Sequence, residues 1–218
     1  GTASKTFDAV VFAILFSIPR EVTLDASLGL PDWKKLAINN LRYGTNAKMM
    51  GGFDGRPWLA QGSHGSSYSN LAHHQTTWET NPTKATNLHA VLTDYSGGNR
   101  GASLNLQPVQ TEAEFFLGDL NLVYPGALAA ASGSEKNRRV HLEHWPSNQL
   151  VKGSYTCNRP GYFTTIAVNE AKPVGNLYFA GEHTRSFYEF QGFMEGAALS
   201  GIRAARKILH DIKVGAVR

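Results

Sequence analysis

The chemistry-bearing residues concentrate near the end of the chain. A strand-like run, Asn176-Leu-Tyr-Phe-Ala180, leads into Gly181-Glu182-His183-Thr184. A glycine-rich segment, Gln191-Gly-Phe-Met-Glu-Gly196, then opens a helix. Strand, acidic loop and glycine-rich helix start together suit an electron-rich ligand. Open α/β sheets bind cofactors in the crevice beyond the carboxyl ends of their strands. The unpaired N–H groups of a helix start, with the positive end of its dipole, favour negative charge there. Gly192, Gly196 and Gly201 add to this, because a glycine inside a helix costs up to about 1 kcal/mol relative to alanine. Glycines at such density point to a close approach to the backbone. Close helix–sheet packing needs the same pattern, and spacing alone leaves both readings open.

Other constellations carry less. His73 and His74 are adjacent and do not share one face of a strand or helix. His141 and His144 are three apart, with no carboxylate or cysteine cluster to complete a metal site, so no metal is expected. Gly62-Ser-His-Gly-Ser-Ser lacks the Gly-x-Ser-x-Gly spacing of a hydrolase elbow, and no Gly-x-x-x-x-Gly-Lys phosphate loop occurs.

The elements that must position these residues follow from patterning. Asp8 to Phe16 is a continuous β-branched and aromatic run, which suits a strand buried on both faces. Pro31-Asp32-Trp33-Lys34 opens a short helix with Trp33, Leu36 and Ala37 on one face. Residues 42–53 are strand-like, with turns at Gly51-Gly52 and Asp54-Gly55. The Gly-, Ser-, Asn- and Thr-rich stretch 56–110 offers strands near Thr76–Glu79 and Ala90–Tyr95, as part of a mixed sheet. Thr111 is the expected N-cap of a helix, with Glu114 at the capping-box position. That helix carries Phe115, Phe116, Leu117 and Leu120 and stops at Pro125-Gly126; Val140–Trp145 is a further strand. The last helix reaches about His210, with Met194, Ala198, Ala205, Leu209 and Ile212 at helical spacing.

Composition bounds the class. The 218 residues are 42% hydrophobic and 11% aromatic, with 17% charged, below the roughly 25% of an average soluble domain. This fits a globular chain that buries much of its surface. The net charge of +4 has a modest excess at the end (Arg203, Arg206, Lys207, Lys213, Arg218). It reads as the wet face of a terminal helix, because nucleic-acid binding calls for denser clusters with interleaved aromatics. A single Cys157 excludes an internal disulfide. The longest apolar run, Ala9–Phe16, is eight residues, too short for a membrane span. The first residues lack the charged and apolar regions of a signal peptide. The cytoplasm is the working expectation for compartment, although no motif carries it.

Several stretches together resemble one family. Phe179-Ala-Gly-Glu-His-Thr, Gly192-Phe-Met-Glu-Gly-Ala-Ala and Ser200-Gly-Ile-Arg-Ala-Ala are similar to the carboxyl-terminal flavin motif of the flavin-containing amine oxidases, which include monoamine, polyamine and L-amino-acid oxidases. Asp8-Ala-Val-Val-Phe-Ala resembles the strand that returns to the flavin domain. Tyr43-Gly-Thr-Asn-Ala-Lys48 resembles the segment with the active-site lysine. Trp145, followed by Gly153-Ser-Tyr155-Thr, resembles the stretch that bears the aromatic wall. The resemblance implies that Lys48 holds a water against flavin N5, where a positive charge stabilises reduced-oxygen species. It implies that Tyr155 and Phe193 flank the amine, their faces attracting a cation on entry. It further implies that Trp145, Gly181, Glu182, Gly192, Phe193 and Met194 contact FAD, Met194 through its backbone N–H. For Glu182, a contact near the ribityl–diphosphate portion competes with a loop-capping role.

Three departures qualify the resemblance. Ser154 stands where animal monoamine oxidases carry the cysteine that binds flavin, so attachment is expected to be noncovalent. Pro19 is displaced by four positions from the family's Ala-Ile-Pro-Phe pattern. No Gly-x-Gly-x-x-Gly, the motif that cradles the diphosphate in the family, occurs in the sequence. The expected fold is α/β with α+β character: an incomplete FAD-binding Rossmann-like domain (1–24 and 151–218) and a mixed-sheet substrate domain (25–150). The implied reaction is oxidation of an amine or L-amino acid to an imine, with molecular oxygen reduced to hydrogen peroxide. The expected partner is an amino-terminal flavin-binding half. The alternative is a truncated or split fragment that is noncatalytic alone.

Overall fold

The computed structural model describes residues 4–80, 88–104, 107–187 and 190–216. In chain order its elements are β1 (Val10–Phe12), α1 (Asp32–Asn40), β2 (Ala47–Phe53), β3 (Ser67–Tyr68), β4 (Thr76–Glu79), β5 (Ala90–Ser96), α2 (Gly98–Ser103), α3 (Val109–Val123) and α4 (Ala127–Ala130). The order continues with β6 (Gly133–Ser134), β7 (Asn137–Arg138), β8 (Val140–His144), α5 (Tyr162–Thr165), β9 (Leu177–Phe179) and α6 (Met194–Lys213), with short 3-10 turns between elements. Packing divides the chain into two compact units, Gly1–Gly44 with Leu150–Arg218, and Thr45–Gln149. Residues 25–44, which the sequence pattern joins to the middle segment, pack instead with the terminal segments. The cause is apolar: Ala37, Ile38 and Leu41 share a buried cluster with Phe16, Tyr162, Ile166 and Phe179.

In the terminal unit β1 and β9 pair in parallel, Val11 opposite Tyr178. Strand β9 is fully buried, as its apolar run predicts. Strand β1 corrects the expectation of a long strand buried on both faces. It covers three residues, with Val10 and Val11 exposed at 42% and 43%. Its hydrogen-bonded neighbour among the described residues is β9, and one partner shields a strand incompletely.

Helix α1 turns a different face inward from the one its apolar residues suggest. Lys34, Ala37 and Ile38 are buried while Leu36 is exposed. Helix α6 does the same. It buries Gly196, Ser200, Ala204 and Asp211 and leaves Met194, Leu209 and Ile212 exposed. Arg203 is not on a wet face either: its guanidinium donates to the carbonyl oxygens of Thr184 and Phe179. Arg218 of the same basic group lies outside the described residues.

The middle unit is a five-stranded sheet in the order β3-β4-β5-β2-β8. Every pairing in it is antiparallel. This corrects the expectation of a mixed sheet here; parallel pairing occurs at β1–β9. Met49, Phe53, Trp58, Leu92, Phe116, Leu117 and Leu120 form its core beneath α3. The strands expected at 76–79, 90–95 and 140–145 are present within a residue. The capping box at Thr111 is not. Helix α3 has its N-cap three residues earlier, at Pro108, without a side-chain cap. Glu114 bonds to Arg138 at 2.7 Å rather than to a helix end, and buried Glu112 pairs with Arg100 and His73.

Candidate functional site

In the terminal unit the local backbone joins the residues around Tyr155 to those around Gly181 and Gly192. Gly44 and residues 154–155 exchange two backbone hydrogen bonds: Gly44 N–H donates to Tyr155 and Ser154 N–H donates to Gly44, at 2.8 and 2.9 Å. Gly153 makes this approach possible at φ +154°, because a Cβ there would lie 2.6 Å from Tyr43 Cβ. The Glu182 carboxylate then ties three segments together. It accepts Thr156 N–H at 3.0 Å, Thr156 Oγ1–H at 2.9 Å and Gly192 N–H at 2.7 Å. Burial raises its pKa above the ordinary carboxylate value, and these hydrogen bonds oppose the shift. These contacts make Glu182 a brace of the loop.

The same brace sets Gly192 at φ +83°, where a Cβ would be 3.5 Å from the Tyr155 ring. Gly181, at φ +122°, has the His183 imidazole where its own side chain would stand, and its N–H donates to Ser200 Oγ at 2.8 Å. The start of α6 is open. Phe193, its N-cap residue, offers no side-chain cap. The N–H groups of Met194, Glu195 and Gly196 have no acceptor among the described residues. Phe193 and Met194 are 66% and 91% exposed. Three orphan donors at the positive end of a twenty-residue helix fit a ligand with an electron-rich edge. Gly196 is required for this shape: a Cβ there would sit 2.0 Å from the Phe190 carbonyl oxygen. Gly201 is not so constrained, with nothing within 4 Å.

Behind the brace lies a buried polar group that the sequence pattern does not reveal. Lys34 Nζ is fully buried and donates to the carbonyl oxygens of Asn169 and Glu170 at 2.6 and 3.0 Å. It also stands 3.8 Å from the centroid of the Phe179 ring. Desolvation lowers its pKa to about 7, with Glu170 acting in the opposite sense. Buried Glu170 accepts the Tyr162 hydroxyl at 2.9 Å. His183 is wedged edge-on against Phe16 at 4.6 Å, and neither ring nitrogen has a partner among the described residues. Desolvation first, then the charges of Lys34 and Arg203, hold its pKa down at about 3. It is therefore a neutral core histidine at physiological pH.

In the middle unit, Lys48 is the second residue of β2, between Tyr95 on β5 and Glu143 on β8. Its Nζ is 5.9 Å from the centroids of both the Trp78 and Tyr95 rings, which themselves lie 5.8 Å apart. This aromatic seat favours a held ammonium. Trp78 and Tyr95 were not legible as site residues, because only strand pairing brings them beside Lys48. Trp145 is half-buried and opens a 3-10 turn capped by His144.

The middle unit also holds a Ser67–His74–Asp94 chain. Ser67 Oγ is 2.8 Å from His74 Nε2, and His74 Nδ1 is 3.1 Å from Asp94 Oδ1. The order is that of a nucleophilic triad, but His74 is fully buried and Ser67 Oγ also bonds Thr77. The chain fastens β3 and β4 to β5. Among the described residues no group of His, Cys, Asp and Glu is arranged to hold a metal. No helix there is long and apolar enough to cross a membrane.

A parallel strand pair leads here into a glycine-braced loop and an uncapped helix start within an α/β unit, and comparison with known proteins makes the class specific. The model of the flavin containing amine oxidoreductase family matches residues 1–209. The chain belongs to that family. Polyamine oxidase 3 of Oryza sativa subsp. japonica is 27% identical over 94% of this chain and 40% of its own length. Amine oxidase [flavin-containing] B of Rattus norvegicus is 40% identical over 37% of this chain. Among solved structures, cyclohexylamine oxidase from Brevibacterium oxydans superposes with a TM-score of 0.78 at 21% identity, covering 94% of this chain and 43% of that one. Putrescine oxidase gives a TM-score of 0.76. The fold is that of the flavin amine oxidases, and the chain spans about two fifths of the full-length curated relatives it matches.

Proposed function

We propose that this chain supplies the isoalloxazine side of an FAD-dependent amine oxidase. In this reading residues 4–44 and 150–216 mainly serve the cofactor and also supply Tyr155 and Phe193 to the substrate, while residues 45–149 mainly serve the substrate and supply Lys48. The observation that carries the proposal is the open start of α6, where the amides of Met194, Glu195 and Gly196 have no acceptor among the described residues and Phe193 and Met194 are exposed. FAD held there would supply the two-electron acceptor for oxidation of the carbon next to the amine nitrogen, with dioxygen as the final acceptor and hydrogen peroxide as its product. The substrate leaves as an imine, which water hydrolyses. The protein's part is positioning and electrostatics. The orphan amides stabilise negative charge on the cofactor. Glu182 fixes Gly192 against the Tyr155 ring, so Tyr155 and Phe193 can wall the substrate and exclude water. Lys48, held by Trp78 and Tyr95, supplies a fixed positive charge for the oxygen half-reaction. Ser154 offers no thiol to the cofactor, which supports noncovalent attachment.

A segment bearing the glycine-rich diphosphate anchor completes the site as partner in this proposal. The uncovered apolar residues Val10, Val11 and Ile14, and Met194, Leu209 and Ile212 on α6, suit burial against it. The amine can be a simple amine, a polyamine or an L-amino acid.

The test is to purify the chain alone and with a family amino-terminal segment, then record visible spectra and amine-dependent peroxide. Flavin bands with amine-dependent bleaching support the proposal. A pair that associates but never turns yellow supports the noncatalytic fragment instead. In an active pair, Lys48→Met should slow reoxidation by oxygen by about a hundredfold while anaerobic reduction by amine changes little. Equal slowing of both halves would remove Lys48 from the oxygen step.

A further inference from the structure

A cavity lies on the terminal unit, outside the residues assigned to cofactor and amine. It has a volume of about 290 Å³ and sits between the end of α1 and the segment leading into α5. Its walls combine two chemistries. Leu36, Pro160, Tyr162 and Ile166 give apolar walls, while Arg42 and Arg159 line the same cavity. Neither Asp nor Glu lines it.

The two arginines converge for backbone reasons. Cys157 N–H donates to the Arg42 carbonyl at 2.9 Å, and Tyr162 N–H donates to the Arg159 carbonyl at 3.0 Å as the chain turns into α5. Both main chains are thus pinned while both side chains are exposed. Neither guanidinium makes a hydrogen bond or an ion pair among the described residues. A third cation is close. Arg20, whose Nε donates to the Ile38 carbonyl oxygen at 2.8 Å, feels the like charge of Arg42. Like charges gathered around a cavity with apolar walls, with no acid to balance them, make a positive potential focused into it. Guanidinium groups match carboxylate and phosphate geometry through paired N–H donors.

We propose that this cavity binds a small organic carboxylate with a short apolar body, its carboxylate at Arg42 and Arg159 and its body on Leu36, Tyr162 and Ile166. The volume lies at the lower end of the roughly 300–1,000 Å³ of small-molecule sites, which limits the ligand to about the size of benzoate. The apolar walls select against a bare inorganic anion, and the arginines select against a neutral molecule of the same shape.

Calorimetric titration of the chain with benzoate, acetate, benzyl alcohol and inorganic phosphate tests this. Benzoate should bind most tightly, and its affinity should fall by about tenfold or more in Arg42→Ala and in Arg159→Ala. It should vanish in the double variant. Both arginines are exposed, so these variants should fold, and unchanged circular dichroism would verify it. Leu36→Ser, at an exposed position of the apolar wall, should bring benzoate down toward acetate. Benzoate binding that survives the double variant, benzyl alcohol binding as tightly as benzoate, or phosphate binding more tightly than benzoate would each overturn the proposal. None of these readings depends on flavin, so the proposal stands or falls separately from the amine oxidase assignment.

Discussion

Replacing Lys34 with methionine separates the charge of this side chain from its bulk. In the folded chain its pKa is about 7, against 10.5 when solvated. Between those values the unfolded state binds the proton more tightly, so stability must rise with pH across the window. Below about pH 7 both states are charged and the cost of burying the ammonium is constant; above 10.5 both are neutral and the cost is gone. A displacement from 10.5 to about 7 corresponds to at most about 5 kcal/mol. Relaxation around the buried ammonium reduces this, and about 2–5 kcal/mol is the expected rise. Methionine keeps the stem packed near Phe179 but leaves the carbonyls of Asn169 and Glu170 without this donor, a loss of about 1–3 kcal/mol each. Relief of charge burial opposes that loss, so Lys34→Met should lie within about 2 kcal/mol of the parent near pH 7. At pH 10 the parent should be clearly the more stable. Urea unfolding at half-unit steps from pH 6.5 to 10.5, with midpoints compared at constant slope, gives the measurement. A parent flat across the window, or a variant rising as steeply as the parent, would refute the assignment of this titration to Lys34.

His183 contributes to the acid limb. Its folded pKa of about 3 lies below the ordinary 6.5, so its contribution is complete above 6.5 and is lost as pH falls toward 3. An NMR titration of the imidazole should show no midpoint above about pH 4, and one near 6.5 would contradict its burial. Glu182→Ala orphans the N–H groups of Thr156 and Gly192, and should cost about 2–4 kcal/mol in urea unfolding; a cost below about 0.5 kcal/mol would mean that water replaces the carboxylate freely. Two glycines of α6 should respond oppositely. Gly196→Ala meets the Phe190 carbonyl oxygen 2.0 Å away and should destabilise by about 1–3 kcal/mol. Gly201→Ala meets nothing within 4 Å and should stabilise by up to about 1 kcal/mol. Equal thermal shifts for the two would show that the α6 start tolerates a wider approach.

Local signals named most elements and the end of the chain where the cofactor chemistry lies. Period-two and continuous apolar runs identified β4, β5, β8 and β9, because such patterns have few other uses. The glycines at 181, 192 and 196 were legible for a similar reason: each meets a backbone angle or close contact that a side chain would obstruct. Ordered motifs added Lys48, Tyr155 and Phe193, which no periodicity distinguishes.

What only the tertiary structure decided is which neighbour each residue meets. Lys34 lies outside the apolar face expected of its helix, yet it is buried against the carbonyls of residues 169 and 170 far along the chain. Glu114 fits a capping box until Arg138 on a distant strand pairs with it. Trp78 and Tyr95 become the seat of Lys48 through the register of β4, β5 and β2, and Arg42 meets Arg159 through one ladder between distant segments. Sequence fixes a residue's own conformational and hydration preferences. The partners that override those preferences are nonlocal, and they exist only once the chain has closed on itself.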